Sequence, residues 1–236
     1  VSSHYIYFES NPILDPLVEN WQQIRDEFFA RLYKELGDKH KLEDDNTPGQ
    51  KSNYVTDTFK TVLYQGNFKA MPIFLRDKLI DSHEAKQMNW QNWQKPGGAK
   101  TRFWEERMNA MPTIKQWLDK YIDIVGAVTY NICLPGSRLN HHWGLAPEYL
   151  RLHLTLKEAE GCVFDIENER KQWVDGELFA FDDCNVLHGT RHTGTEPRTI
   201  VLIDILKSQL QSYAKTWPCR EFIPRHQRSV PLIENW

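Results

Sequence analysis

The 236-residue sequence predicts a mainly β domain that carries helices at its amino-terminal end, built as an antiparallel sandwich or barrel. Two observations lead there. An apolar stripe at helical spacing opens the chain, and short strands separated by turn residues fill the stretch after about residue 125.

Leu14, Leu17, Trp21, Ile24, Phe28, Leu32 and Leu36 follow one another by 3, 4, 3, 4, 4 and 4 residues, one face of an amphipathic helix. Asp15-Pro16 supplies a cap and a first-turn proline, and Gly37 a stop. Residues 38–51 are polar, contain Pro48-Gly49 and read as a loop. Thr113 is placed to cap a second helix carrying Ile114, Trp117, Leu118 and Tyr121. Between these helices, residues 89–98 hold Trp90 and Trp93, which either line a cleft or, as the favoured reading, pack under a long loop. The first half therefore reads as mostly helical.

Residues 125–134 form the first strong strand and end at Pro135-Gly136; residues 149–156 alternate. Residues 162–166 and 177–181 are strands flanking a turn near Asn168-Glu169, and 197–206 is the last strong strand. The tail from 207 to 236 keeps Tyr213, Trp217, Phe222 and Trp236, enough apolar surface to dock on the domain. One domain over 1–236 is expected: a mostly helical part to 124, a β core over 125–206 and an extension over 207–236.

Composition narrows the function classes. With 29 Lys+Arg against 32 Asp+Glu the net charge is −3, which argues against a dedicated nucleic-acid or polybasic membrane binder. The richest apolar run, residues 200–206, is seven residues with Asp204 inside, so no membrane-spanning segment is expected. Four widely spaced cysteines without a CxxC pair read as free thiols in a reducing compartment, with Cys133 and Cys184 as small core residues. A soluble, cytoplasmic protein is the default expectation, although a lumenal or anchored parent would look the same here. Oligomeric state is not legible.

Five of the nine histidines fall between His141 and His192. Within 149–156, Leu150, Leu152, Leu154 and Leu156 share one face, expected to lie against the amino-terminal helices. The opposite face carries Arg151 and His153. In the last strand, Arg198, Ile200, Leu202 and Asp204 share a face, and an arginine opening so apolar a strand needs an anionic partner. A protein carboxylate or the carboxylate of a small molecule fits a guanidinium equally. His142 and His188 stand 46 residues apart, each at or near a strand end, where neutral imidazoles ligate iron(II) or zinc as readily as they serve structural roles. His141 is expected to point away from His142, and His192 to lie in the connection before the last strand.

Taken in order, Pro135-Gly136, His142, Arg151-Leu-His153-Leu, Gly161-Cys162, Trp173, Gly176, Phe181-Asp-Asp183, His188 and Pro197-Arg198 resemble the aspartyl/asparaginyl β-hydroxylase family of Fe(II)- and 2-oxoglutarate-dependent oxygenases. The stretch 19–27 is similar to that family's helical opening. The resemblance implies a distorted double-stranded β-helix, a jelly-roll or cupin-like barrel, with the amino-terminal helices packed on one sheet. It implies His142 and His188 as iron ligands and catalytic residues, and Arg198 as partner of the distal carboxylate of 2-oxoglutarate. Arg151 and His153 would lie along the cosubstrate or substrate carboxylate, and Asn131 would stand where relatives offer a hydroxyl. The implied reaction is decarboxylation of 2-oxoglutarate by O2 to succinate and CO2, coupled to hydroxylation of a C–H bond. The substrate would carry a carboxylate or amide: an Asp/Asn-like peptide residue, an amino acid or a related compound.

Two features bear on that reading. The usual facial triad places a carboxylate two residues after the first histidine, but Gly144 stands there, as in this family. His188 follows Asp183 by five residues, one more than the family pattern, which predicts a bulge; Asp182 and Asp183 are expected to support that turn or to stand behind the second histidine. Other readings are halogenation at the open position, action on a lipid acyl chain, a non-catalytic jelly-roll binding protein, and a zinc hydrolase, which lacks an obvious third ligand and base.

Overall fold

The computed structural model describes residues 3–33, 64–65, 68–76, 101–103, 105–144 and 146–219. Eleven strands in this set form two antiparallel sheets. They are β1 (Tyr64–Gln65), β2 (Phe68–Arg76), β3 (Thr101–Phe103), β4 (Val125–Cys133), β5 (Arg138–His142) and β6 (Tyr149–Lys157). β7 (Cys162–Ile166), β8 (Glu169–Gln172), β9 (Leu178–Phe181), β10 (His188–His192) and β11 (Arg198–Leu206) complete them. The larger sheet runs β3-β2-β4-β11-β6-β9 and the smaller β1-β5-β10-β7-β8. From β4 onward, consecutive strands distribute themselves as β4-β11-β6-β9 against β5-β10-β7-β8, the strand order of a jelly roll.

Period-two patterning explains the layering. Leu150, Leu152, Leu154 and Leu156 of β6, Val201, Ile203 and Ile205 of β11, and Val128, Tyr130 and Ile132 of β4 face outward from the larger sheet into one apolar cluster. The helices supply its other half: Leu14, Leu17, Ile24, Phe28, Ile114, Trp117 and Leu118. The amino-terminal helices therefore cover one sheet, as expected. The opposite face of the larger sheet looks into the barrel, where Phe164, Trp173, Phe179, Phe181 and Ile200 form a second cluster.

Several sequence expectations are corrected. The single helix expected from Leu14 is broken into α1 (Asp15–Glu19), α2 (Trp21–Glu27) and a π-helical turn, Phe28–Tyr33. The break falls at Asn20, whose side-chain amide donates to the Pro16 carbonyl at 2.8 Å. The cap is not Asp15: Asn11 Oδ1 accepts the backbone N–H groups of Ile13 at 3.1 Å and Leu14 at 2.9 Å. The helix α3 (Glu105–Ala110) was not expected; the second predicted helix is present as α4 (Pro112–Tyr121), but Thr113 does not cap it. Glu27 of α2 does, accepting Thr113 N–H at 3.1 Å and its hydroxyl at 2.6 Å. Glu27→Ala is expected to lower stability by about 1 kcal/mol, read from the urea midpoint, and an unchanged midpoint would deny Glu27 that role.

The first half is also not helical alone, since β2 pairs along β4. Pro72 hid this strand from pattern reading; the register shifts between Pro72 and Phe74, which accommodates the missing N–H. The expected loops at 38–51 and 89–98 and the Gly37 stop lie outside the described residues. Beyond β11, the short helix α5 (Lys207–Leu210) and the segment to Cys219 dock on the outer cluster through Leu210, Ala214 and Trp217. Among the described residues no helix is long and apolar enough to cross a membrane.

Candidate active site

His142 and His188 are direct cross-strand partners on β5 and β10, with ring centroids 4.3 Å apart. Each is fixed by its own backbone. His142 Nδ1 donates to the Asn140 carbonyl at 2.9 Å, and His188 Nδ1 to the Val186 carbonyl at 3.0 Å. Both Nε2 atoms are thereby left as lone-pair donors, the arrangement by which metal-binding imidazoles are oriented. The register of β10 against β5 shifts between His188 and Thr190, the irregularity expected from the spacing after Asp183. Gly189 sits at this shift because a Cβ there would come within 2.9 Å of the Leu139 carbonyl.

Asp183 joins the pair to the opposite sheet. Its Oδ1 lies 3.1 Å from His188 Nε2 and accepts Arg151 Nη1 at 2.8 Å. Arg151 completes its fork on Asp204, with Nε and Nη2 each donating at 2.9 Å. Burial alone would raise the Asp183 carboxyl, but Arg151, then His188 and His142, hold it well below the usual carboxylate range. A lone pair on His188 Nε2 and an anionic oxygen 3.1 Å away are two acceptors facing each other. That arrangement is favourable only with positive charge at this point, a proton or a metal ion.

Gly144 lies against the same carboxylate. Its N–H donates to the Asp183 carbonyl at 2.7 Å, and a Cβ at position 144 would fall 1.3 Å from Asp183 Oδ2. The space into which a facial-triad carboxylate would project from position 144 is filled by the carboxylate of Asp183. Among the described residues no cluster of three or more His, Cys, Asp or Glu side chains is poised to hold a metal. The side chains that could serve as donors are therefore the two imidazoles, with the Asp183 carboxylate held beside them by Arg151.

A continuous wall of rings leads inward. Phe181 lies 4.9 Å from His188 and 5.2 Å from His153; the His153 ring is 6.2 Å from Trp173, whose face carries the Arg198 guanidinium at 4.4 Å. Arg198 is buried, and its Nη1 donates to the Asn131 backbone carbonyl at 3.3 Å. His153 Nδ1, Thr155 Oγ1, Trp173 Nε1 and Arg198 Nε are buried with no hydrogen-bond partner among the described residues. Polar atoms left so in an interior mark a place for a polar ligand or water.

The structure thus gathers the predicted residues His142, His188, Arg151, His153, Arg198 and Asn131 at one barrel interior, with the imidazole pair on one sheet and the arginines on the other. Three of the Arg151 N–H groups serve Asp183 and Asp204. His192 is corrected: it ends β10 fully buried, its Nε2 donating to the Glu196 carbonyl at 2.6 Å and its Nδ1 accepting from Gly194. It closes the hairpin that leads into β11. Asp182 holds the turn as expected, accepting Asn185 at 2.9 Å and Lys207 at 2.7 Å. Asp183 stands beside His188, in the supporting place expected of it, whereas Asp204 and Trp173 join the site beyond the expected residues; the period of two, which puts Asp204 on the face of Arg198, is the available signal.

The match to the family model for aspartyl/asparaginyl β-hydroxylase extends over residues 18–208. The chain belongs to the aspartyl/asparaginyl β-hydroxylase family. It is 30% identical over 109 residues to human aspartyl/asparaginyl β-hydroxylase, covering 46% of this chain and 13% of that protein. Against the mouse protein of the same name it is 27% identical over 173 residues, 70% of this chain and 20% of that one. The human aspartate β-hydroxylase domain-containing protein 2 is 29% identical over 86 residues, 35% of this chain and 23% of that protein. The chain thus spans under a quarter of the length of these relatives. Among solved structures, a cupin-like protein from Thermotoga maritima is similar with a TM-score of 0.35 and 10% identity, covering 62% of this chain and 74% of that one. An oxalate decarboxylase predicted in the same organism gives 0.31 and 17%, covering 38% and 73%.

Within this family member, the site has a definite acid response. Burial, then the neighbouring His188, brings the His142 imidazole down to about 3, and burial followed by Arg198 pushes His153 well below the usual histidine range. An unfolded histidine titrates near 6.5, so below about that pH the unfolded chain binds protons that the folded chain refuses. Stability of the metal-free protein is expected to fall as pH drops from about 6.5 toward the lowered values. Asp183 adds a further loss below about 3.9, where the unfolded carboxyl protonates before the folded one. Urea midpoints measured from pH 7.5 to 4.5 test this; equal slopes for the wild type and His142→Gln would contradict it.

Proposed function

We propose that the chain is an Fe(II)- and 2-oxoglutarate-dependent hydroxylase acting on an Asp/Asn-like residue, an amino acid or a related carboxylate substrate. The observation that carries this reading is the backbone-oriented pair His142/His188 facing the same interior as the buried, stacked Arg198. When bound, Fe(II) with 2-oxoglutarate and O2 supplies the oxidising power for C–H hydroxylation, with release of succinate and CO2.

The chain's own residues do the rest. His142 and His188 hold the metal through Nε2 while their Nδ1–H groups stay on backbone carbonyls. Arg198, fixed over Trp173 and by the Asn131 carbonyl, presents remaining N–H groups to the distal carboxylate. His153, neutral through burial, offers a buried nitrogen between metal and anchor. The Arg151–Asp183–Asp204 network keeps Asp183 ionised beside His188. Phe164, Phe179 and Phe181 exclude water from this interior.

Hydroxylation is favoured over halogenation because the anionic Asp183 fills the volume beside Gly144 that a halide would need. Relatives named for aspartyl/asparaginyl hydroxylation support the substrate class.

Anaerobic addition of Fe(II) and then 2-oxoglutarate is expected to give the visible charge-transfer band of the chelate. His142→Ala and His188→Ala should each weaken Fe(II) binding by about tenfold or more. An unchanged Fe(II) titration in both variants would remove the ligand assignment. Succinate release, together with a product one oxygen atom heavier than its substrate, identifies the reaction.

A further inference from the structure

Four polar atoms at the inner end of the barrel are buried with no hydrogen-bond partner among the described residues: His153 Nδ1, Thr155 Oγ1, Trp173 Nε1 and Arg198 Nε. Their residues are 6%, 0%, 3% and 3% exposed. Arg198 and His153 have a place in the proposed reaction; Thr155 and Trp173 have none. The register brings the four together. Ile200, two residues after Arg198, pairs with Thr155 across β11 and β6, and Leu202 pairs with His153. Ile200 belongs to the interior cluster, so Thr155 and His153 share the interior face of β6, and Thr155 stands diagonal to Arg198. Trp173 packs against both neighbours, 4.4 Å from the Arg198 guanidinium and 6.2 Å from the His153 ring. The segment after Trp173 is tied to Thr155 through the backbone. Gly176 N–H donates to the Thr155 carbonyl at 3.0 Å, and Thr155 N–H to the Glu177 carbonyl at 3.0 Å.

The chemistry of this set is one-sided. A guanidinium and an indole nitrogen only donate, a hydroxyl turns to donate, and the imidazole Nδ1 takes either part. Such a set matches a group that only accepts, above all a carboxylate. Without that group Thr155 is an unfavourable residue for its place, because a buried hydroxyl with no partner costs more than the methyl of a valine of the same shape. A wholly buried threonine on a face otherwise filled by Phe179, Phe181 and Ile200 therefore points to a bound acceptor.

We propose that Thr155, through its hydroxyl, and Trp173, through its indole N–H, complete with Arg198 a cradle for one carboxylate at the inner end of the barrel, and so act as specificity residues for the acid bound there. The proposal rests on the 2-oxoglutarate reading of the site, in which this carboxylate is the one remote from the keto group. Arg198 supplies the charge, and the two neutral donors add hydrogen bonds without burying a second cation. Thr155 stands on β6 and Trp173 between β8 and β9, whereas the imidazole pair stands on β5 and β10. Substitutions at the cradle therefore leave the metal-binding side chains in place.

The test compares Thr155→Val, which removes the hydroxyl at constant shape, Thr155→Ser, which keeps it, and Trp173→Phe, which keeps a ring against the guanidinium without the N–H. Anaerobic calorimetric titration of the Fe(II)-loaded full chain with 2-oxoglutarate is expected to show binding about tenfold weaker in Thr155→Val and in Trp173→Phe, and within about twofold of the wild type in Thr155→Ser. Urea unfolding of the ligand-free chain should move the other way, with a higher midpoint for Thr155→Val, because its hydroxyl has no partner there. A lower midpoint would make the hydroxyl structural and overturn its role. Unchanged 2-oxoglutarate affinity in Thr155→Val would remove the hydroxyl from the cradle, and in Trp173→Phe the indole. Glutarate, which has two carboxylates and no keto group for a metal, reads the cradle without Fe(II), and the same loss in Thr155→Val is expected. If Fe(II) and 2-oxoglutarate form no complex while glutarate binds in this Thr155-dependent way, the proposed function fails and the cradle stands. Wild-type protein that binds no glutarate, or variants that bind it equally well, would overturn the cradle whatever the metal does.

Discussion

Gly144→Ala is expected to destabilise the fold by about 3–5 kcal/mol, more than the ~1–3 kcal/mol that an added methyl ordinarily costs in a packed interior. The new Cβ would lie 1.3 Å from Asp183 Oδ2, closer than any rotamer adjustment of the methyl can relieve. Asp183 must therefore swing away, breaking its 2.8 Å contact with Arg151 and its 3.1 Å contact with His188. The cost is that of separating a buried ion pair, not of overpacking alone. Equilibrium urea unfolding of the metal-free protein measures it. The logic extends to restoring a triad. Gly144→Asp alone should unfold the site, whereas Gly144→Asp combined with Asp183→Gly should recover stability by a coupling of about 1–3 kcal/mol. Strict additivity of the two substitutions would show that the residues do not compete for one volume.

Arg198→Ala is expected to weaken 2-oxoglutarate binding by at least about 30-fold, because removing one partner of a buried charge pair costs about 2 kcal/mol or more. Arg198→Lys should fall between the two: it keeps the charge but loses the fork and the planar stacking on Trp173. Isothermal titration with Fe(II)-loaded protein separates this from metal loss, since Arg198 lies on β11 and the imidazole pair on β5 and β10. An alanine variant that binds 2-oxoglutarate like the wild type would place the anchor elsewhere.

The strands that read clearly from sequence are those with one buried apolar face. β6 and β11 alternate because Leu150 to Leu156 and Val201 to Ile205 pack under the helices while their other face lines the barrel. β5 and β10 were legible only as places near strand ends. Arg138–His142 and His188–His192 carry polar residues on both faces, so no hydrophobic period announces them. Pro72 interrupts the strand pattern of β2, and the apolar stripe of the first helix continues through both the Asn20 break and the π-helical turn, so the pattern does not show where the helix is broken. At the candidate site, His142, His188 and Arg198 stand out through the family resemblance that their order and spacing carry. For Asp183 only a supporting place at the turn or behind the second histidine is legible, since its contacts with Gly144 and Arg151 join residues distant in sequence.

The position of β11 bears on how the chain is made. Its strand lies between β4 and β6 in the larger sheet, yet it follows both in sequence by a wide margin. A ribosome delivers β4 and β6 first, so each waits with an unpaired edge until residue 206 has emerged. Those edges, rich in β-branched and leucine side chains, are the part of the nascent chain most exposed to wrong partners. The strand that brings Arg198 to its place is also the strand that ends this exposure.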